Sequence, residues 1–149
     1  MKTEELKQEI ERAFSGVAYP GDSKIAPHDH CAECEKLADD LRGQHWRDVI
    51  KLMPSALSGQ QLPLLIGEAF NFYFPAFLQA SLEPELRPFV FDAVVFMINN
   101  GKLVDLTSEQ KKAALAVVKA VHHPQGDLSG DEARAIKILT EDIAKGGAA

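Results

Sequence analysis

The chain has 149 residues, 46% hydrophobic and 26% charged, the composition of a single globular domain that can bury a core without disulfide or metal staples. Its formal net charge is −6, with seven Lys/Arg against eleven Asp/Glu in residues 1–48, three against five in 49–106 and six against six in 107–149. No basic cluster emerges, which argues against nucleic acids and anionic membrane surfaces as partners. The opening MKTEELKQEIERAF is too charged for a signal peptide, and a run such as AVVFMI is far too short to span a bilayer. The expectation is therefore a cytoplasmic protein whose two cysteines are thiols or ligands rather than a structural disulfide.

In chain order, Thr3 is placed to cap a first helix, with Glu4 and Glu5 at its positive end. Leu6, Ile10, Ala13 and Phe14 give that helix an apolar face, and Gly16 stops it. YPGDSKIAP is turn chemistry. A second helix is expected from about Cys31 to Arg42, with Cys34, Leu37, Ala38 and Leu41 inward. Trp46, Val49, Ile50 and Met53 have helical spacing that Pro54 breaks. The most apolar region predicts a helix from about Glu68 to Leu82, central to the fold, with Pro75 kinking or dividing it.

PFVFDAVVFMINNGKLVDL reads two ways. Asn100-Gly101 between apolar runs is a hairpin signal. Phe89, Ala93, Phe96 and Met97 instead fit one helical face, with Asn100-Gly101 as its end, and a buried helix from about Pro88 to Asn99 is favoured. Two further helices start at capping boxes, Thr107 with Gln110 and Ser129 with Glu132. Ala114, Leu115, Val118, Ala120 and Val121 make the apolar side of one, and Ile136, Leu139 and Ile143 that of the other. Together these elements predict an all-α, compact single-domain helical bundle of about six or seven helices over residues 1–149.

The one chemical-looking stretch is PHDHCAECEKL, residues 27–37. His28, Cys31 and Cys34 are spaced by three, and two thiolates with an imidazole suit zinc, with His30 or His45 as a fourth ligand. A second ligand pair at defined spacing is missing. A redox reading has Cys-x-x-Cys at a helix start, one thiol acidified by free backbone N–H groups, although no strand precedes it as in thioredoxin-like βαβ units. A structural reading has Asp29 or His30 capping the helix and Cys34 packing as a small hydrophobe.

Other candidates are weaker. His122-His123-Pro124 offers imidazoles to a metal, but histidines near a helix end also suit its negative end, and that reading is favoured. DLSGDE lacks the glycine placement and the position-twelve Glu of a calcium loop. Asp92, inside an apolar helix, reads as a partnered or edge-exposed carboxylate. No nucleophile elbow, phosphate loop or His-Glu-x-x-His motif occurs.

AFSGVAYPGDSKI, HDHCAEC, LRGQHW, LPLLIGEAFNFYFPAFLQASL and VDLTSEQKKAALAVVKAV occur in that order, and together they resemble a family of small bacterial proteins catalogued as a domain of unknown function. The resemblance runs to about Val121, and residues 122–149 read as an extension beyond it. It implies one helical domain and carries over no activity. The expectation is a non-catalytic protein-interaction module acting through a protein partner, without nucleic acid or membrane. The alternative is a zinc-binding domain on His28, Cys31, Cys34 and His30, and third comes an enzyme with an unrecognised site.

Overall fold

The computed structural model describes residues 2–27 and 31–147. Seven α-helices follow one another in these residues, and no strand occurs among them. They are α1 (Thr3–Phe14), α2 (Ala32–Leu41), α3 (Trp46–Val49), α4 (Gly67–Leu82), α5 (Arg87–Asn99), α6 (Ser108–Val121) and α7 (Asp131–Gly147). Short 3₁₀ turns at Ile50–Leu52, Leu62–Leu64 and Pro124–Gly126 fill the connections. The protein is an all-α bundle, as the periodicity predicts.

Helix α4 is the centre. Phe70, Phe72, Tyr73, Phe74 and Phe77 are all buried along it, and it packs against α1, α3, α5 and α6. Burial on every side explains why its sequence is apolar all round rather than striped. Pro75 lies within the helix and neither divides it nor ends it. The proline removes one backbone donor, and the surrounding core holds the remaining turns together.

Helix α5 settles the hairpin question. Gly101 has φ +73°, its N–H bonds the Ile98 carbonyl at 3.1 Å, and the Lys102 N–H bonds the Met97 carbonyl at 3.0 Å. That pair of bonds is a Schellman end, which needs a residue in the left-handed region, so Asn100-Gly101 terminates a helix here instead of turning a hairpin. The expected face of α5 is partly wrong. Val90, Phe91, Val94, Val95, Met97 and Ile98 are buried, whereas Phe89 is 51% and Phe96 54% exposed. The core lies on both sides of α5 from Val90 to Ile98, which leaves only a narrow polar stripe, and Phe96 sits on it.

Three caps differ from expectation. Thr3 is the first residue inside α1, and Lys2 at the cap position makes no side-chain cap bond. The cap of α2 is Cys31 itself, not Asp29 or His30, which lie outside the described residues. The start of α7 uses Asp127, whose carboxylate accepts the Glu132 N–H at 3.2 Å and the Ala133 N–H at 3.0 Å. Ser129 reaches only the Asp131 N–H at 3.3 Å, and Glu132 turns away to His122 Nδ1 at 2.8 Å. A carboxylate brought in from outside the last turn serves two donors at once, so it displaces the hydroxyl. The Thr107–Gln110 box forms as expected, and the Gln110 amide also donates to the Ala13 carbonyl at 3.2 Å, fastening the end of α1 to α6.

Helix α7 packs against both α5 and α6 and buries Ala135 and Leu139. Residues 131–147, which read as an extension in sequence, therefore share the bundle's core.

Candidate functional site

Of the four residues offered as zinc ligands, His28 and His30 lie outside the described residues. Cys31 and Cys34 sit together at the start of α2. Cys31 is extended, with φ −112° and ψ 148°, and its Sγ accepts the Cys34 backbone N–H at 3.3 Å. Both cysteines are free; Cys31 is half-buried and Cys34 only 2% exposed. Contact with the Cys34 thiol, helped by its backbone N–H, holds the Cys31 thiol below its ordinary value, and the same contact together with burial pushes the Cys34 thiol up. Sulfur is thus paired with sulfur, one side accessible and the other inside. Among the described residues no group of three or more His, Cys, Asp and Glu is placed to hold a metal ion.

His45 is committed elsewhere. It caps α3, its Nδ1 accepting the Arg47 N–H at 3.1 Å, and its ring packs 5.6 Å from Trp46 and 5.3 Å from Phe72. This corner gathers several motifs that stand out in sequence. The Tyr19 hydroxyl donates to Asp22 at 2.6 Å and accepts the Gly43 N–H at 2.8 Å, while its ring meets Phe72 edge-on at 5.7 Å. The Tyr73 hydroxyl lies 2.8 Å from the Leu41 carbonyl and 2.9 Å from the Gln44 carbonyl and shares its proton between them. Burial pushes its titration well above the ordinary tyrosine range. Tyr19-Pro20-Gly21-Asp22, Gly43 to Trp46 and Tyr73 therefore act as one clasp that binds the first loop and the α2–α3 turn to α4. The Tyr19 and Tyr73 hydroxyls and His45 Nδ1 each hold a backbone group, which is structural chemistry, while the Trp46 indole N–H is buried without a hydrogen-bond partner among the described residues.

A cavity of about 640 Å³ lies between α5 and the α6–α7 connection. One wall is the polar stripe of α5, where Asp92, Phe96, Asn99 and Asn100 recur at helical spacing. The other runs from Gly126 into the first turn of α7. Four carboxylates, Asp92, Asp127, Asp131 and Glu132, line the groove against the single guanidinium of Arg134. Their availability differs. Asp127 is held by backbone donors: burial works against its charge, but the N–H groups of Ala133 and Glu132 outweigh it and keep the carboxyl below its ordinary 3.8. Glu132 is tied to His122. Asp131 faces solvent, with Arg134 3.6 Å away, and Asp92 is exposed. Two apolar side chains stand among these charges, Phe96 at 54% and Leu128 at 95% exposure. At the base, the Asn99 amide donates to the Asp131 carbonyl at 3.0 Å, while its Oδ1 is buried without a hydrogen-bond partner among the described residues.

The sequence reads Asp92 as a partnered or edge-exposed carboxylate and DLSGDE as a segment that fails as a calcium loop, and nothing in it joins the two into one groove. Phe96 was assigned to the core, and Leu128 carries no local signal at all. The spacing of Asp92, Phe96 and Asn99 marks one face of α5, but the wall opposite comes from a loop about 30 residues away, which only the tertiary fold supplies. No helix among the described residues is long and apolar enough to cross a membrane. Comparison with family models, with curated proteins and with solved structures finds no match to this chain.

Proposed function

We propose that this protein is a non-catalytic docking module, and that the groove between α5 and the α6–α7 connection receives a basic segment of a protein partner. The supporting observation is the composition of the groove, four carboxylates and one guanidinium around two exposed apolar side chains. Exposed phenylalanine and leucine rimmed by charge are what an anchored docking site offers. Charge complementarity defines the occupant: Lys or Arg on either side of one apolar residue, the latter seated between Phe96 and Leu128. Asp92 and Asp131 receive the cations, because Asp127 and Glu132 are held by close hydrogen bonds in the fold, whereas Asp92 is exposed and Asp131 has only a long, exposed pair with Arg134. The acidic overall balance would speed encounter with such a segment.

A fluorescent synthetic peptide with lysine and leucine at helical spacing is a direct probe. Binding to the full chain is expected to weaken as salt rises, since exposed ion pairs are screened. Asp92→Asn and Asp131→Asn are each expected to weaken it about two- to fivefold. Phe96→Ser should cost more, on the order of tenfold, because an anchoring aromatic carries a large share of docking energy. Equal affinity for all three variants and the parent chain would refute the reading.

A further inference from the structure

We propose that Cys31 and Cys34 form a redox-active dithiol that closes into an intramolecular disulfide by exchange with a small-molecule disulfide. The inference is independent of the groove. It rests on the way α2 begins. Cys31 caps the helix in an extended conformation, so its sulfur folds over the first turn and reaches the backbone nitrogen of Cys34 at 3.3 Å. Side chains three apart on a helix share a side with Cβ atoms about 5–6 Å apart, and a disulfide draws them to about 3.5–4.5 Å, so the first turn must tighten by about 1–2 Å as the bond forms. The sulfur of Cys31 already sits over the residue it must join.

The absence of a preceding strand in the sequence argues against a thioredoxin-like fold, but exchange needs only the two sulfurs and access to one of them. Access is asymmetric: Cys31 is half-buried and Cys34 only 2% exposed. That sets the order of events. The Cys31 thiolate attacks a sulfur of the small disulfide, forming a mixed disulfide and releasing one small thiolate, which takes up a proton. Cys34 then gives its proton to solvent, and its sulfur attacks Sγ of Cys31. The Cys31–Cys34 bond forms and the second small thiolate leaves and is protonated. Two protein thiols are oxidised and one small disulfide is reduced to two thiols. Cys34 has room for this movement, since it lines a cavity of about 350 Å³ with Ile25, Pro27 and Ala38.

The test is equilibration of the full chain in buffers of increasing oxidised-to-reduced glutathione ratio, followed by trapping of free thiols with an alkylating reagent and peptide mass analysis. The expected result is joint protection of Cys31 and Cys34 in a monomeric chain that has lost two hydrogens, reversed by dithiothreitol. Cys31→Ser keeps a favoured helix cap, so the chain should fold, and its Cys34 should stay reduced. Cys34→Ser should stop at a mixed disulfide on Cys31. The proposal is overturned if the parent chain itself stops at the mixed disulfide, forms the bond between two chains, or keeps both thiols reactive at every ratio. Zinc bound one per chain that leaves both cysteines reduced throughout would overturn it as well.

Discussion

Tyr73 shows how much of the fold depends on a single hydroxyl. It bridges the carbonyls of Leu41 and Gln44, at the turn that carries α2 into α3. Tyr73→Phe is expected to cost about 1–2 kcal/mol in denaturant unfolding, because the Gln44 carbonyl loses the hydroxyl, while the Leu41 carbonyl keeps the Gln44 N–H at 2.9 Å; an unchanged midpoint would contradict the clasp. Gly59 is a second such position, and nothing in the local sequence announces it. Its N–H bonds the Phe89 carbonyl at 2.8 Å, and an added Cβ would lie 2.8 Å from the Ala93 Cβ and 2.9 Å from the Phe89 oxygen. Gly59→Ala must push the start of α5 away, at a cost of about 1–3 kcal/mol by the same measurement. Asp127 gives a pH signature. Its carboxyl is held below 3.8 in the folded chain, so its ionised form favours the folded state. That contribution is complete above the ordinary carboxyl range and disappears as pH falls through the lowered folded value. Asp127→Ala should therefore lower the melting temperature at neutral pH, more than Ser129→Ala does, and the gap from the parent chain should close in acid. A gap that stays constant with pH would mean that the carboxylate is not the cap.

At the scale of the element, helices were legible wherever periodicity or a capping box was local. The α6 box needed only Thr107 and Gln110, two residues three positions apart that bond to one another directly. The Schellman end of α5 was legible as one of two readings, since Asn-Gly serves both and the choice depends on what α5 packs against. The cap of α7 was misread because its ligand comes from Asp127, earlier than the pattern suggests. Which face of α5 is exposed was misread for a similar reason: a helix covered on most sides has no stripe to follow, so Phe96 looks like core. The sequence could not place α7 either, because its resemblance-bearing motifs end near Val121. The structure packs it on α5 and α6 through Ala135 and Leu139. Leu139→Ala is expected to destabilise the whole bundle by about 2–5 kcal/mol, in one cooperative transition. A separate early melt of α7, with the remaining helices unaffected, would show that it is an appendage.

At the scale of the molecule, charge counted along the chain concentrates acidity in residues 1–48, yet the acidic groove is assembled from α5 and the α6–α7 connection. Linear counting is blind to this because residues 107–149 are balanced, and only the fold brings Asp92 of α5 to the same groove as Asp127, Asp131 and Glu132. The clasp at Tyr19, His45 and Tyr73 and the groove at Phe96 and Leu128 are therefore different kinds of surface: the first spends its polar groups on backbone, and the second leaves Asp92 and Asp131 facing solvent. The most direct test is a nuclear magnetic resonance titration of the isotopically labelled chain with the lysine–leucine peptide, following backbone amide shifts. Docking in the groove predicts that the largest shifts fall on Asp92 to Asn100 and on Asp127 to Arg134, and that added salt reverses them. Shifts centred on Tyr19, Gly43 and His45, or no saturable shift at any position, would contradict it.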